Sequence, residues 1–115
     1  MAVLARQLRA LEDAHDRLGL SYRNLSDVLR ADESTLHRWR SGTSEPSPAF
    51  LDRLEALGEF LEQLRATFRS DDAARTWLDR EVPELGGGTP RKQLLAGRVE
   101  RLTAILLGLN VGVTT

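Results

Sequence analysis

Residues 20–42 read LSYRNLSDVLRADESTLHRWRSG, and the spacing within this stretch decides the fold. Ser21 stands where a side-chain oxygen can cap a helix, and Leu25, Val28 and Leu29 follow at helical intervals. Asp32 can cap a second helix running from Glu33 to Arg40, which Ser41 and Gly42 end. Two short helices separated by about three residues have the layout of a helix-turn-helix. At about 100° per residue, Leu36 and Trp39 share one face of the second helix, placed to pack on Leu25 and Val28. Ser34, His37 and Arg38 then occupy the opposite face.

Outward from this core the pattern stays helical. On the N-terminal side Leu4, Leu8, Leu11, Ala14 and Leu18 form one stripe that stops at Gly19. On the other side Ser47-Pro48 is a cap followed by proline at the first helical position. Leu51, Leu54, Leu57, Leu61, Leu64 and Phe68 then mark a long amphipathic helix. Ser70 or Asp71 opens a helix through Trp77 and Leu78, and Pro83 with Gly86 to Gly88 breaks regular structure. Thr89-Pro90 repeats the cap-and-proline device before Leu94 and Leu95. A last helix uses Val99, Leu102, Ile105, Leu106 and Leu109, with residues 110–115 as a short β-branched tail. The expected fold is all-α. A helix-turn-helix bundle, residues 1–69, is joined by the long helix to a small helical domain, residues 70–115.

Composition bounds the function. The 115 residues suffice for one core, or for two small helical units sharing one, and the 41% hydrophobic content is too high for a disordered chain. With a net charge of −1 the chain carries no overall electrostatic footprint for nucleic acid, so contact with DNA must come from a local patch. Lys92 is the sole lysine among 16 basic residues, an arginine bias that suits bidentate contacts and that GC-rich coding would equally produce. The absence of cysteine removes thiolate catalysis and thiolate metal sites, and His15 and His37 form no metal-ligand pattern. No metal, cofactor or catalytic residue is expected. Residues 1–11 lack the apolar block of a signal peptide, and residues 104–113 are too few to span a membrane, which points to the cytoplasm.

The triple glycine in ELGGGTPRKQ, residues 84–93, fits neither a phosphate loop nor a dinucleotide fingerprint, because no strand precedes it and Lys92 is out of place. It reads as a chain reversal before the next helix. In the helix-turn-helix, Arg38 suits guanine, with Ser34 and His37 more permissive, while Arg23, Arg40, Ser41 and Thr43 are placed for phosphates. The same surface could be only a solvated helix face. One such motif reads few base pairs, so a homodimer on two half-sites of operator DNA is expected.

By its residues, the 20–42 stretch resembles the Xre-type helix-turn-helix of bacterial repressors. The region 73–113 resembles the C-terminal toxin-binding domain of the Xre/MbcA/ParS antitoxin family. The resemblance rests on Trp77-Leu78, Pro83, Leu85-Gly86-Gly87, Thr89-Pro90, Leu94-Leu95, Gly97 and Gly112-Val113, in matching order and spacing. It departs from the pattern at Leu109-Asn110-Val111, where an aromatic often precedes the final glycine. The resemblance implies a type II toxin-antitoxin system, with a RES-domain toxin that consumes NAD or ADP-ribosylates as partner. The antitoxin obstructs the toxin's active site and represses the shared operon. Carried over to this chain, the candidate toxin contacts are Arg98, Arg101 and Val111, Gly112, Val113, Thr114 and Thr115. Arg98 and Arg101 stand three apart, a spacing that puts both on one helical face, where they could pair with acidic groups or form only a solvated surface. Without the resemblance, a stand-alone helix-turn-helix regulator explains the first half equally well.

Overall fold

The computed structural model describes the backbone of residues 2–114 and the side chains of residues 5–110. The helices are α1 (Ala2–Leu18), α2 (Tyr22–Leu29), α3 (Glu33–Ser41), α4 (Pro48–Thr67), α5 (Asp71–Leu78), α6 (Pro90–Leu95) and α7 (Val99–Thr114). A single 3-10 turn, Pro83–Leu85, lies between α5 and α6, and there is no strand among the described residues. The expected all-α class is the observed one.

Local signals set the boundaries. Ser21 accepts the Asn24 amide at 3.0 Å while Asn24 Oδ1 accepts the Ser21 amide at 3.2 Å, a reciprocal capping box. Ser70 and Thr89 cap α5 and α6 through the amides of Ala73 and Lys92. Asp32 and Ser47 occupy the cap positions of α3 and α4 with extended backbone, but neither side chain makes the capping hydrogen bond expected of it. In the triple glycine, Gly86 (φ 70°) and Gly87 (φ 104°) hold left-handed backbone that other residues adopt at a cost. The amide of Val82 closes that loop on the carbonyl of Gly88 at 3.3 Å.

Helix α4 is the axis of the fold, packing on α1 along one side and on α7 along another. Leu54, Leu57, Phe60 and Leu64 are accordingly all buried. Phe60, fully enclosed, lies outside the leucine stripe read from sequence, because a helix covered by two neighbours needs a wider apolar surface than one stripe. One continuous core runs from Ala10 on α1 to Leu106 on α7 and includes Trp39 and Trp77. Trp39 stacks obliquely on Phe50 at 5.2 Å, and Trp77 on Phe68 at 5.7 Å.

Arginines lock the elements at their ends. Arg75 on α5 donates to the carbonyls of Arg17 (2.7 Å) and Asp16 (3.4 Å), serving the exposed carbonyl end of α1. Arg53 on α4 donates to Leu29 at 3.0 Å, Arg30 to Ala96 at 3.3 Å, and Arg91 binds Asp79 at 2.6 Å. This last bond holds the Asp79 carboxyl below its usual pKa.

Two sequence expectations change at the C-terminus. The tail from Asn110 is not separate from the last helix, since α7 extends to Thr114. Asn110 Nδ2 donates to Thr67 Oγ1 (3.1 Å) and Gln63 Oε1 (3.3 Å), tying this turn of α7 to the end of α4 and favouring helix where composition alone suggested a loose end. Leu109, expected on the apolar stripe, is 36% exposed.

One buried group is left without a partner among the described residues: Oε1 of Gln7, on α1, whose side chain is 7% exposed. Enclosing an unsatisfied amide oxygen costs free energy that an apolar side chain of similar size avoids. Gln7→Leu is expected to raise stability by about 1 kcal/mol, read as a higher urea midpoint at unchanged slope. A lower midpoint would show that the amide is satisfied in solution.

Candidate nucleic-acid interface and partner surface

The face opposite the buried Leu36 and Trp39 of α3 holds Ser34, His37 and Arg38, all exposed, as the helical arithmetic required. Arg38 Nη2 donates to Thr35 Oγ1 one turn back at 3.0 Å, which steadies the guanidinium along the helix. Glu33 opens α3 and complements the positive end of the helix dipole. Arg23 is exposed in the first turn of α2.

Beyond the end of α3 the chain reverses at Gly42 (φ 78°). Ser41 Oγ donates to the Arg38 carbonyl at 3.2 Å and lies 2.8 Å from Thr43 Oγ1. Arg40 does not stand alone: its Nε donates to Glu12 Oε1 on α1 at 2.5 Å, which raises the guanidinium pKa further above its already high value. His37, Arg40 and Ser41 join Leu8, Arg9 and Glu12 in lining one open groove of about 660 Å³ between α1 and α3. The structure therefore brings His37, Arg40 and Ser41 into one groove, while Arg23, on α2, is not among the residues that line it.

Arg9, Glu12 and Tyr22, absent from the sequence-derived set, belong to this neighbourhood. Burial, followed by the negative charge of Glu12, raises the pKa of the Tyr22 phenol. No local signal marks Arg9 or Glu12, because their nearness to α3 depends on how α1 crosses it.

The C-terminal candidates separate. Arg101 is exposed in the first turn of α7, whereas Arg98 precedes that helix and donates to Gln93 Oε1 at 3.4 Å. The two are therefore not paired on one helical face as spacing suggested, because Gly97 (φ 81°) turns the chain immediately before Arg98 and the helix begins only at Val99. The side chains of Val111, Gly112, Val113 and Thr114, and all of Thr115, lie outside the described residues. What sequence reading missed is apolar: Leu107 (47% exposed) stands out on α7 one turn after the exposed Ala104, and Leu109 is exposed as well. Periodicity carried the signal for Leu107, which falls off the buried line of Val99, Leu102 and Leu106.

Among the described residues no group of acidic or histidine side chains could hold a metal ion, and no helix is long and apolar enough to cross a membrane. No curated protein matches the chain in sequence. A chain of the crystal structure of the M. tuberculosis MbcT-MbcA toxin-antitoxin complex shares the fold, with a TM-score of 0.67 and 24% identity. The match covers 92% of this chain and 95% of that one. Residues 63–106 match the family model described as the antitoxin Xre/MbcA/ParS C-terminal toxin-binding domain. The matched stretch runs from the end of α4 through α5 and α6 into α7, and it is in this region that the chain is similar to that antitoxin family.

Proposed function

We propose that the chain is the antitoxin of a type II toxin-antitoxin pair. Residues 70–115 bind and neutralise a RES-domain toxin that consumes NAD or ADP-ribosylates, by blocking its active site. Residues 1–69 bind operator DNA as a homodimer and repress the shared operon. The chain acts in the cytoplasm and performs no catalysis, and any nucleotide chemistry belongs to the toxin.

The observation that carries this reading is the family match over residues 63–106. Support comes from the exposed apolar side chain of Leu107 on α7, with Ala104 exposed one turn before it, a composition suited to docking. Arg101 and Arg98 can pair with acidic groups at the mouth of a nucleotide site. Co-expression with the RES-domain product of a neighbouring reading frame is expected to give a stable complex that preserves cellular NAD. If no complex forms with any such product, the inhibitor role falls and a stand-alone regulator remains.

The DNA-binding half rests on the exposed Ser34, His37 and Arg38 presented by a firmly packed helix. Arg38→Ala is expected to weaken binding to the upstream region by about 1–3 kcal/mol through loss of a bidentate base contact. The loss should be confined to the specific site, leaving affinity for unrelated duplexes nearly unchanged. Equal binding of Arg38→Ala and the unsubstituted chain to the upstream region would remove α3 from the major groove.

A further inference from the structure

Tyr22, the first residue of α2, is the meeting point of three helices. The His15 ring, from α1, lies 4.6 Å from the tyrosine ring at an interplanar angle of 31°. The His37 ring, from α3, lies 4.9 Å away at 41°. The guanidinium carbon of Arg40 sits 4.9 Å above the same ring, within the range of a cation–π contact. The phenol donates to Glu12 Oε1 at 3.3 Å, and this is the oxygen that also accepts from Arg40 Nε.

The platform is itself anchored. Nδ1 of His15 lies 2.7 Å from the Leu20 carbonyl, in the turn just before α2, so the proton on Nδ1 is donated there. The Ser21–Asn24 capping box fixes the first turn of α2, which carries Tyr22. Two of the side chains placed at the DNA surface, His37 and Arg40, thus rest on one ring whose position is set by local hydrogen bonds. Arg40 spends only its Nε on Glu12 and makes no other hydrogen bond among the described residues, which leaves its terminal amines for a phosphate.

We propose that Tyr22 is a positioning residue for DNA-backbone contact, holding Arg40 over its ring, with His37 beside it, before DNA arrives. This rests on the DNA-binding reading above. A long arginine side chain that is already ordered loses less conformational freedom on docking, so a fixed guanidinium binds a phosphate better than a mobile one of equal charge. Glu12 steers the guanidinium by its Nε. The ring supplies a face that tolerates small movements of the cation, as a second carboxylate would not.

The test compares wild type, Tyr22→Phe, Tyr22→Leu and Arg40→Ala on a random-sequence duplex of about two helical turns, titrated over a range of salt concentrations. Losing one phosphate contact lowers the magnitude of the slope of log K against log salt by about 0.9. That decrease is expected in Arg40→Ala and in Tyr22→Leu, while Tyr22→Phe, which keeps the ring, retains the wild-type slope. The doubly substituted chain, Tyr22→Leu with Arg40→Ala, should match Arg40→Ala alone. Without DNA, the Arg40 Nε–H resonance should be protected from solvent exchange in wild type and Tyr22→Phe and lost in Tyr22→Leu.

A Tyr22→Leu chain that is merely less stable, with wild-type slope and a protected Arg40 resonance, overturns the proposal while leaving DNA binding intact. A wild-type chain that binds no duplex overturns the DNA-binding reading and, with it, the role given to Tyr22. Protected resonances in that case would leave the ring as a purely structural support.

Discussion

Truncating Phe60 to alanine is expected to cost about 3–5 kcal/mol, the largest stability loss for a single substitution in this chain. Phe60 is completely enclosed on α4, the helix that carries α1 on one side and α7 on another. Removing its ring leaves a cavity at the centre of the molecule, and backbone held by three helices has little freedom to close it. Domains of this size are stable by roughly 5–15 kcal/mol in total, so the variant should be marginal at physiological temperature. Urea unfolding measures the loss.

The same experiment tests whether the two halves share one fate. Trp39 reports on the helix-turn-helix and Trp77 on the C-terminal region, and both belong to the continuous core. In single-tryptophan versions, Trp39→Phe and Trp77→Phe, the two fluorescence transitions should coincide, as a single cooperative unit requires. Well-separated midpoints would show that α4 joins two independently folding parts.

The second large effect concerns the partner. Leu107→Arg is expected to weaken toxin binding by about 100-fold or more, corresponding to about 2.7 kcal/mol. Leu107 is half exposed, so its replacement should change stability by no more than about 0.5 kcal/mol. An arginine brought into a docked apolar contact must instead be desolvated without a partner, which is where a large binding loss arises. Calorimetry with the purified toxin, or rescue of toxin-expressing cells, measures the effect. Unimpaired neutralisation by Leu107→Arg would move the toxin surface away from the exposed face of α7.

Arg40 illustrates how far the sequence led at the site. Its position in the last turn of α3 was legible because it follows from helix length and the glycine stop at Gly42, both local properties. Its pairing with Glu12, 28 residues earlier, was not, since that contact depends on the angle at which α1 meets α3. Arg98 shows the opposite failure. Spacing placed it on a helix with Arg101, but the positive φ of Gly97 delays the start of α7 past it.

The sequence by itself determined the order of the helices and most of their ends. Serine and threonine caps, prolines at first positions and glycines in left-handed backbone act over a few residues, so their effects can be read without knowing the rest of the chain. It also determined which faces of α2 and α3 turn inward, since helical periodicity places Leu25, Val28, Leu36 and Trp39 on buried sides. Only the tertiary structure decided that the helices form one core about α4, that Arg30 reaches Ala96 across 66 residues, and that Tyr22 gathers side chains from three helices. Those contacts depend on helix crossing geometry, which is set by the simultaneous packing of many apolar side chains rather than by any local signal.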